Sequence, residues 1–325
     1  MHHRKFNHTD LASSEVGLGC WQLGADWGEV SDQDAQSILA KALDCGINFF
    51  DTADVYGDGR SETLIGNFLK SSKANVFVAT KLGRRGIYPD KYTEATIRAA
   101  TEESLRRLQT DALDLTQLHC IPTEALRQGE VFDWIRKLKA EGKIKSFGAS
   151  VESMEEAHIC LKQEGLTSLQ IIFNIFRQKP IAELFEVAKA KSVALIVRLP
   201  LASGLLSGKL TKQSSFAADD HRTYNRDGQF FNVGETFAGL PFELGVELAD
   251  ELRQFVPANL TMAQMAMRWI LDHEAVTVVI PGATKIHQVA DNASASDLPP
   301  LGEEVHRQLQ QFYEQKIAQH IRGPY

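Results

Sequence analysis

The feature that most constrains this chain is an alternation. Short apolar runs empty into polar residues, and amphipathic helical stretches separate them. Residues 16–20, 47–50, 76–80, 113–118, 146–149, 169–173, 194–197 and 276–280 read as buried strands. Between them the spacing turns helical. After Ser31, an N-cap with Asp34 three residues on, comes a stripe of Ala35, Ile38, Leu39, Ala42 and Leu43, stopped by Gly46. Further helices are expected over 61–70 (capped by Ser61), 92–108, 129–140, 153–163, 181–191, 242–255, 262–271, 286–292 and 303–319. Strands alternating with helices predict a parallel sheet with helices outside it. Eight such units suggest a closed (β/α)8 TIM barrel, with an open doubly wound sheet as the competitor. The chain reads as a single domain over residues 1–325, with one long loop at about 203–240 rich in Gly, Ser, Asp, Asn and Arg.

Charge and cysteine content remove several function classes. A net charge of −7 leaves no basic field for nucleic acid. No run approaches the ~18 apolar residues of a membrane span. The amino terminus has no apolar core for a signal peptide, so a cytoplasmic protein is expected. Cys20, Cys45, Cys120 and Cys160 lie far apart with no CxxC pair, and no His spacing suits zinc, so no metal is expected. Gly17 to Gly24 misses the dinucleotide fingerprint because Gln22 stands at its last glycine. Gly204 to Lys209 is one residue short of a P-loop.

Four residues fall at predicted strand ends or just beyond: Asp51, Tyr56, Lys81 and His119. Each alone is more often a packing, capping or solvated residue. Together they have a chemical logic. A phenol with a solution pKa of about 10 is a poor proton donor near neutrality. An ammonium at Lys81 would lower that pKa, and Asp51 would hold the ammonium. His119 would orient a carbonyl oxygen. The set would protonate an oxygen that becomes negative as hydride reaches carbon.

The segments around these residues resemble the aldo-keto reductase superfamily. The likeness runs through Gly19-Cys20-Trp21-Gln22-Leu23-Gly24, Phe49 to Gly57, Thr80-Lys81, Leu113 to His119, Gln170 to Asn174, Pro200 to Lys209 and Ile280 to Ala283. The resemblance implies a (β/α)8 barrel reducing a small-molecule carbonyl with NADPH, or less often NADH. Asp51, Tyr56, Lys81 and His119 would be catalytic. Gly19, Trp21 and Asp51 would border the cofactor, and Ser150 and Gln170 would hold the nicotinamide carboxamide. Arg198, Pro200, Leu201, Ser203, Gly204, Leu206, Gly208 and Lys209 would wrap the nicotinamide and pyrophosphate. Gly282, Thr284, Lys285, Gln288 and Asn292 would hold the adenosine end, with Lys285 at the 2′-phosphate.

Two departures stand out. Val151 takes the place where the family often has Asn, and Arg198 takes the place of an aromatic that stacks on the nicotinamide. A bare guanidinium there would disfavour the cationic oxidised ring, so NADP⁺ should leave readily. The competing function within the superfamily is a cofactor-binding regulatory subunit of the channel-associated type. An unrelated barrel isomerase or aldolase would not need Tyr and His at these positions.

Overall fold

A computed structural model of the protein describes residues 1–24 and 30–325. An antiparallel hairpin comes first, β1 (His3–Lys5) with β2 (Ala12–Ser14). Eight strands of one sheet follow: β3 (Leu18–Gly19), β4 (Phe49–Asp51), β5 (Phe77–Leu82), β6 (Leu113–His119), β7 (Ile144–Ser150), β8 (Leu166–Ile172), β9 (Ala194–Arg198) and β10 (Val276–Val279). They pair in parallel and in chain order. Parallel bridges from Val16 to Val279 and from Gly19 to Gly282 join the last strand to the first. The Gly17 and Gly19 amides donate to the Val279 and Pro281 carbonyls at 2.8 and 3.0 Å. The sheet therefore closes, which decides between the barrel and the open sheet. Closure needs a bare backbone at one point, since a Cβ on Gly19 would come within 2.7 Å of the Ile280 carbonyl oxygen.

The two-residue period of a strand sorts the barrel interior into levels. Phe49, Ala79, Leu115, Ala194, Ile196 and Val278 pack together as an apolar lower level. Phe6, from the turn after β1, joins them, its ring 5.8 Å from Phe49 and 5.5 Å from Phe77. Phe6 and Leu11 of this first segment thus pack against the barrel floor. Two residues further along four of these strands stand Asp51, Lys81, Gln117 and Arg198, all buried. The same alternation that fills the floor with hydrocarbon delivers a polar level to the mouth.

Most helices stand where their spacing predicts. Helix Asp32–Asp44 is capped by Ser31, whose hydroxyl accepts from the Asp34 amide at 3.1 Å. Helix Arg60–Ser72 differs, since its cap is Gly59 and Ser61 does not cap it. The Ser61 hydroxyl instead donates to the Cys20 carbonyl at 2.9 Å and accepts from Thr52 at 2.8 Å. It ties together the exits of β3 and β4. The stretch expected as one helix over 181–191 is two short ones, Pro180–Glu183 and Phe185–Ala190. Residues 203–240 hold only short turns of helix, as expected. No helix among the described residues is long and apolar enough to cross a membrane.

A fully buried carboxylate ties two helices to β5. Glu62 accepts from the Thr80 hydroxyl at 2.5 Å and from Arg107 Nε at 2.6 Å. Its side chain is 0% exposed and that of Arg107 13%. Removing one partner of such a pair strands a charge in low dielectric. We expect Arg107→Met to lower unfolding free energy by about 3–5 kcal/mol in urea titrations. Glu62→Gln in the same chain should recover part of that loss.

Candidate active site

The mouth of the barrel holds a cavity of about 800 Å³. At its base the Lys81 ammonium donates to Asp51 Oδ1 at 2.5 Å, to the Thr52 carbonyl at 2.9 Å and to the Tyr56 hydroxyl at 3.0 Å. Asp51 Oδ2 accepts from Gln170 at 2.7 Å and from Gln117 at 3.3 Å. The strands explain the meeting. Asp51, Lys81, Gln117 and Gln170 are inward residues of β4, β5, β6 and β8, and the register pairs Lys81 with Gln117. Tyr56 arrives from the loop after β4. That loop turns at Gly57 (φ +58°) hard against Gly24, where a Cβ would sit 2.6 Å from the Gly57 nitrogen. The Tyr56 ring stacks on Trp21 at 5.8 Å and meets the His119 ring edge-on at 5.7 Å.

All four predicted catalytic residues are therefore together, with three of them lining the cavity. Lys81 stands behind Tyr56, fully buried. Burial alone would strip a proton from Lys81, but the Asp51 carboxylate and the Tyr56 oxygen outweigh it and its pKa is raised. The phenol behaves otherwise than the sequence suggested. Its ring is partly exposed, yet burial around it is the largest influence and lifts Tyr56 to about 12, with Lys81 pulling the other way. His119 is held well below the ordinary histidine range, by burial first and then by Lys81, Arg84 and Arg198. Near neutrality it is an uncharged imidazole, a donor of one hydrogen bond without positive charge.

Arg198 is not a bare cation. Its Nη2 pairs with Glu235 Oε1 at 2.6 Å, and its Nη1 donates to the Val151 and Gln170 carbonyls, both at 3.1 Å. Burial opposes both charges, but each partner holds the other ionised. Arg198 therefore does not stand as an uncompensated charge against an oxidised nicotinamide, contrary to the expectation from sequence, because Glu235 matches it. The same guanidinium stands among Cys120, Glu152 and Glu235, whose ligand atoms lie within 4.8 Å of one another. A cation already occupies that group, so it makes no case for a metal.

Of the residues assigned to a cofactor from sequence, Gly19, Trp21, Asp51, Gln170, Arg198 and Pro200 line the cavity. So do Leu201, Ser203, Gly204, Lys209, Gly282, Thr284 and Gln288. Ser150, Leu206, Gly208, Lys285 and Asn292 do not. Ser150 is buried and accepts a long contact from Cys120 Sγ at 3.5 Å. Leu206 packs in the core, and Lys285 is exposed at the cap of helix Ile286–Ser294. Gln288 also anchors its own loop, accepting from the Thr284 and Lys285 amides at 2.8 and 3.0 Å. Phe230 and Phe231 of the long loop line the cavity.

Two residues of consequence escaped the sequence reading. Gln117 lies two residues before His119 on the same strand face, so the two-residue period would have found it. Glu235 ends a short helical turn of the long loop and carries no local signal.

The geometry has counterparts among known proteins. The profile of the aldo/keto reductase family matches residues 15–314. The oxidoreductase YqkF of Bacillus subtilis is 32% identical over 323 residues, 98% of each chain. An aldo-keto reductase from Bacillus halodurans in its holo form superposes with a TM-score of 0.78 at 29% identity, covering 96% of both chains. An aldo-keto reductase from Klebsiella pneumoniae, solved in complex with NADPH, gives 0.68 at 26% identity, covering 93% of this chain and 92% of that one.

Depression of the His119 pKa has a sign that can be checked. The unfolded imidazole binds a proton below about 6.5, and the folded one resists it. Any stability owed to the neutral ring is therefore present above that pH and lost as pH falls toward the folded value. We expect the His119 ring signals to stay at neutral-tautomer shifts by NMR from about pH 8 down to about pH 6.

Proposed function

Because this chain belongs to the aldo/keto reductase family, we propose that it reduces an aldehyde or ketone to an alcohol with NADPH, Tyr56 acting as general acid. It is an oxidoreductase that uses a nicotinamide cofactor, working in this reading as one domain. The observation that carries the proposal is the direction of one hydrogen bond. The Tyr56 oxygen accepts from Lys81, so its own proton is free to go to a substrate oxygen.

The cavity suits the cofactor. Its two lining carboxylates, Asp51 and Glu235, are both held by buried cations. Along the loops after β9 and β10 the wall carries Lys209, Ser207, Thr284 and Gln288, with no unpaired carboxylate among the described residues. That is a donor-rich wall fit for phosphates. Arg198, Pro200, Leu201, Ser203 and Gly204 would border the nicotinamide and pyrophosphate. Gly282, Thr284 and Gln288 would border the adenosine end, and Gln170 the carboxamide.

When bound, the reduced nicotinamide supplies a hydride to the carbonyl carbon. The protein supplies the rest. His119, neutral, donates a hydrogen bond that fixes the carbonyl oxygen beside Tyr56. As that oxygen gains charge, Tyr56 passes its proton to it. The phenolate left behind is matched by the Lys81 ammonium 3.0 Å away, already charged and already oriented by Asp51 and Thr52. Water later restores the phenol proton. An ammonium poised on a phenol that faces an open cavity serves turnover, which a purely regulatory subunit would not need.

Two measurements bear on this reading. Tyr56→Phe keeps the ring and removes the proton, so kcat with NADPH and a panel of aldehydes should fall roughly 100- to 10,000-fold with cofactor affinity nearly unchanged. Retained turnover would take Tyr56 out of its role. Glu235→Gln would unmask the Arg198 charge beside the nicotinamide. It should weaken NADP⁺ binding several-fold more than NADPH binding in fluorescence titrations, and an unchanged ratio would count against Arg198 bordering the ring.

A further inference from the structure

The strand order gives the cavity two opposite sides. In an eight-stranded ring β5 faces β9 across the mouth. Loops after β9 and β10 carry the donors suited to phosphates. The far side is built from the loops after β4, β5 and β6, with Val55, Tyr88 and His119 on the wall and Phe230 leaning in from the long loop. That side is largely apolar and aromatic, except for Arg84.

Arg84 stands two residues beyond the end of β5. Just before it, a Cβ on Gly83 would lie 3.9 Å from the His119 amide, so the loop leaves the barrel beside His119. The Arg84 side chain is half-buried on the cavity wall, its guanidinium carbon 5.0 Å from the centre of the Tyr88 ring. The other lining arginines are paired, Arg198 with Glu235 at 2.6 Å and Arg222 with Asp220 at 2.6 Å. Arg84 has no carboxylate at ion-pairing distance and no hydrogen bond among the described residues. The carboxylates that act on it, Glu152 and Glu235, do so only through space, and the nearby Cys120 thiol is pushed up to about 12 by burial and stays uncharged near neutrality. Glu235 is already bound to Arg198. Glu152 is pushed up to about 7, by burial and then by Glu235, so it carries only part of a charge near neutrality.

We infer that Arg84 receives a carboxylate of the substrate, so that the preferred substrate is an aldehyde or ketone whose apolar body carries an anionic group. A planar guanidinium held against an aromatic face offers a fixed fork of donors that matches a carboxylate. Half-buried and unpaired, it favours a ligand that brings the missing negative charge and resists a neutral one of the same shape, which would leave it desolvated without compensation. The aromatic wall takes the apolar body, and the carbonyl lies toward Tyr56 and His119. The inference rests on the carbonyl reductase reading for its substrate but not for its anion site, and the two are separable by experiment.

The test pairs a binding readout with a turnover readout on the full chain. Benzoate and its neutral isostere benzamide are titrated by calorimetry against the wild type, Arg84→Gln and Arg84→Lys. The wild type should bind benzoate about 10-fold tighter, Arg84→Gln should lose the difference, and Arg84→Lys should keep part of it. Equal affinities in the wild type, or a preference that survives in Arg84→Gln, would overturn the inference. In parallel, kcat/KM with NADPH is compared for para-carboxybenzaldehyde and benzaldehyde. The ratio cancels any loss of folded enzyme and should fall roughly 10- to 100-fold in Arg84→Gln. If both aldehydes are consumed with the same ratio in wild type and variant, the anion site falls and the reductase reading stands. If benzoate preference holds but neither aldehyde is consumed, the reductase reading falls and the anion site stands.

Discussion

An ammonium that cannot reach water organises the mouth of this barrel. Lys81 is fully buried, and an isolated charge at such depth would cost several kcal/mol. It is tolerated because every donor has a partner: the Asp51 carboxylate, the Thr52 carbonyl and the Tyr56 oxygen. Asp51 in turn is a buried anion, and Gln117 and Gln170 occupy its second oxygen. Strands β4, β5, β6 and β8 each contribute one side chain to this knot. A slip of one residue in any of them would turn its contribution out of the barrel and leave a charge unmatched. The pair thus enforces register as well as chemistry.

A second buried pair does for the long loop what the first does for the barrel. Glu235 reaches Arg198 at the end of β9, and the chain around it is held in turn. Ser203 donates to the Glu235 carbonyl at 3.2 Å and accepts from the Phe237 amide at 3.1 Å. Asn225 accepts from the amides of Phe230 and Phe231 at 2.9 and 3.0 Å, fixing the aromatic edge of the cavity. Arg322, near the carboxyl end, binds the Gly239 carbonyl at 2.9 Å and Asp227 at 2.8 Å. An excursion with almost no regular structure is therefore ordered by side-chain hydrogen bonds to its backbone, the usual substitute for a ladder. Its composition of Asn, Asp, Ser and Gly, which reads as a long loop from sequence, is the composition that makes those bonds.

These two pairs divide the electrostatics of the cavity. Asp51 and Glu235 are consumed by buried cations, so the open wall presents donors and apolar surface and little free negative charge. The phosphate-suited side and the aromatic side differ in which cation has no ion-pair partner among the described residues: Lys209 on one, Arg84 on the other. A neutral His119 between them avoids adding a further cation, which burial and three neighbouring positive groups forbid.

The strand–helix alternation and the positions of Asp51, Tyr56, Lys81 and His119 were legible in the sequence by itself. They follow from local rules, a two-residue period for strands, a 3.6-residue period for helices, and polar residues where a buried run ends. Fold class and the four candidate groups came from those rules together with a family resemblance. Only the tertiary structure decided the closure of the sheet, which rests on bridges between residues 16–19 and 279–282, more than 250 positions apart in the sequence. It also decided the ionisation of the site. That Tyr56 is lifted and not lowered, that Arg198 is neutralised by a glutamate of the long loop, and that Arg84 has no ion pair among the described residues all depend on depth and distance. Spacing along a chain does not encode burial or the approach of remote charges, and those two quantities set the energy of every ionised group in this cavity.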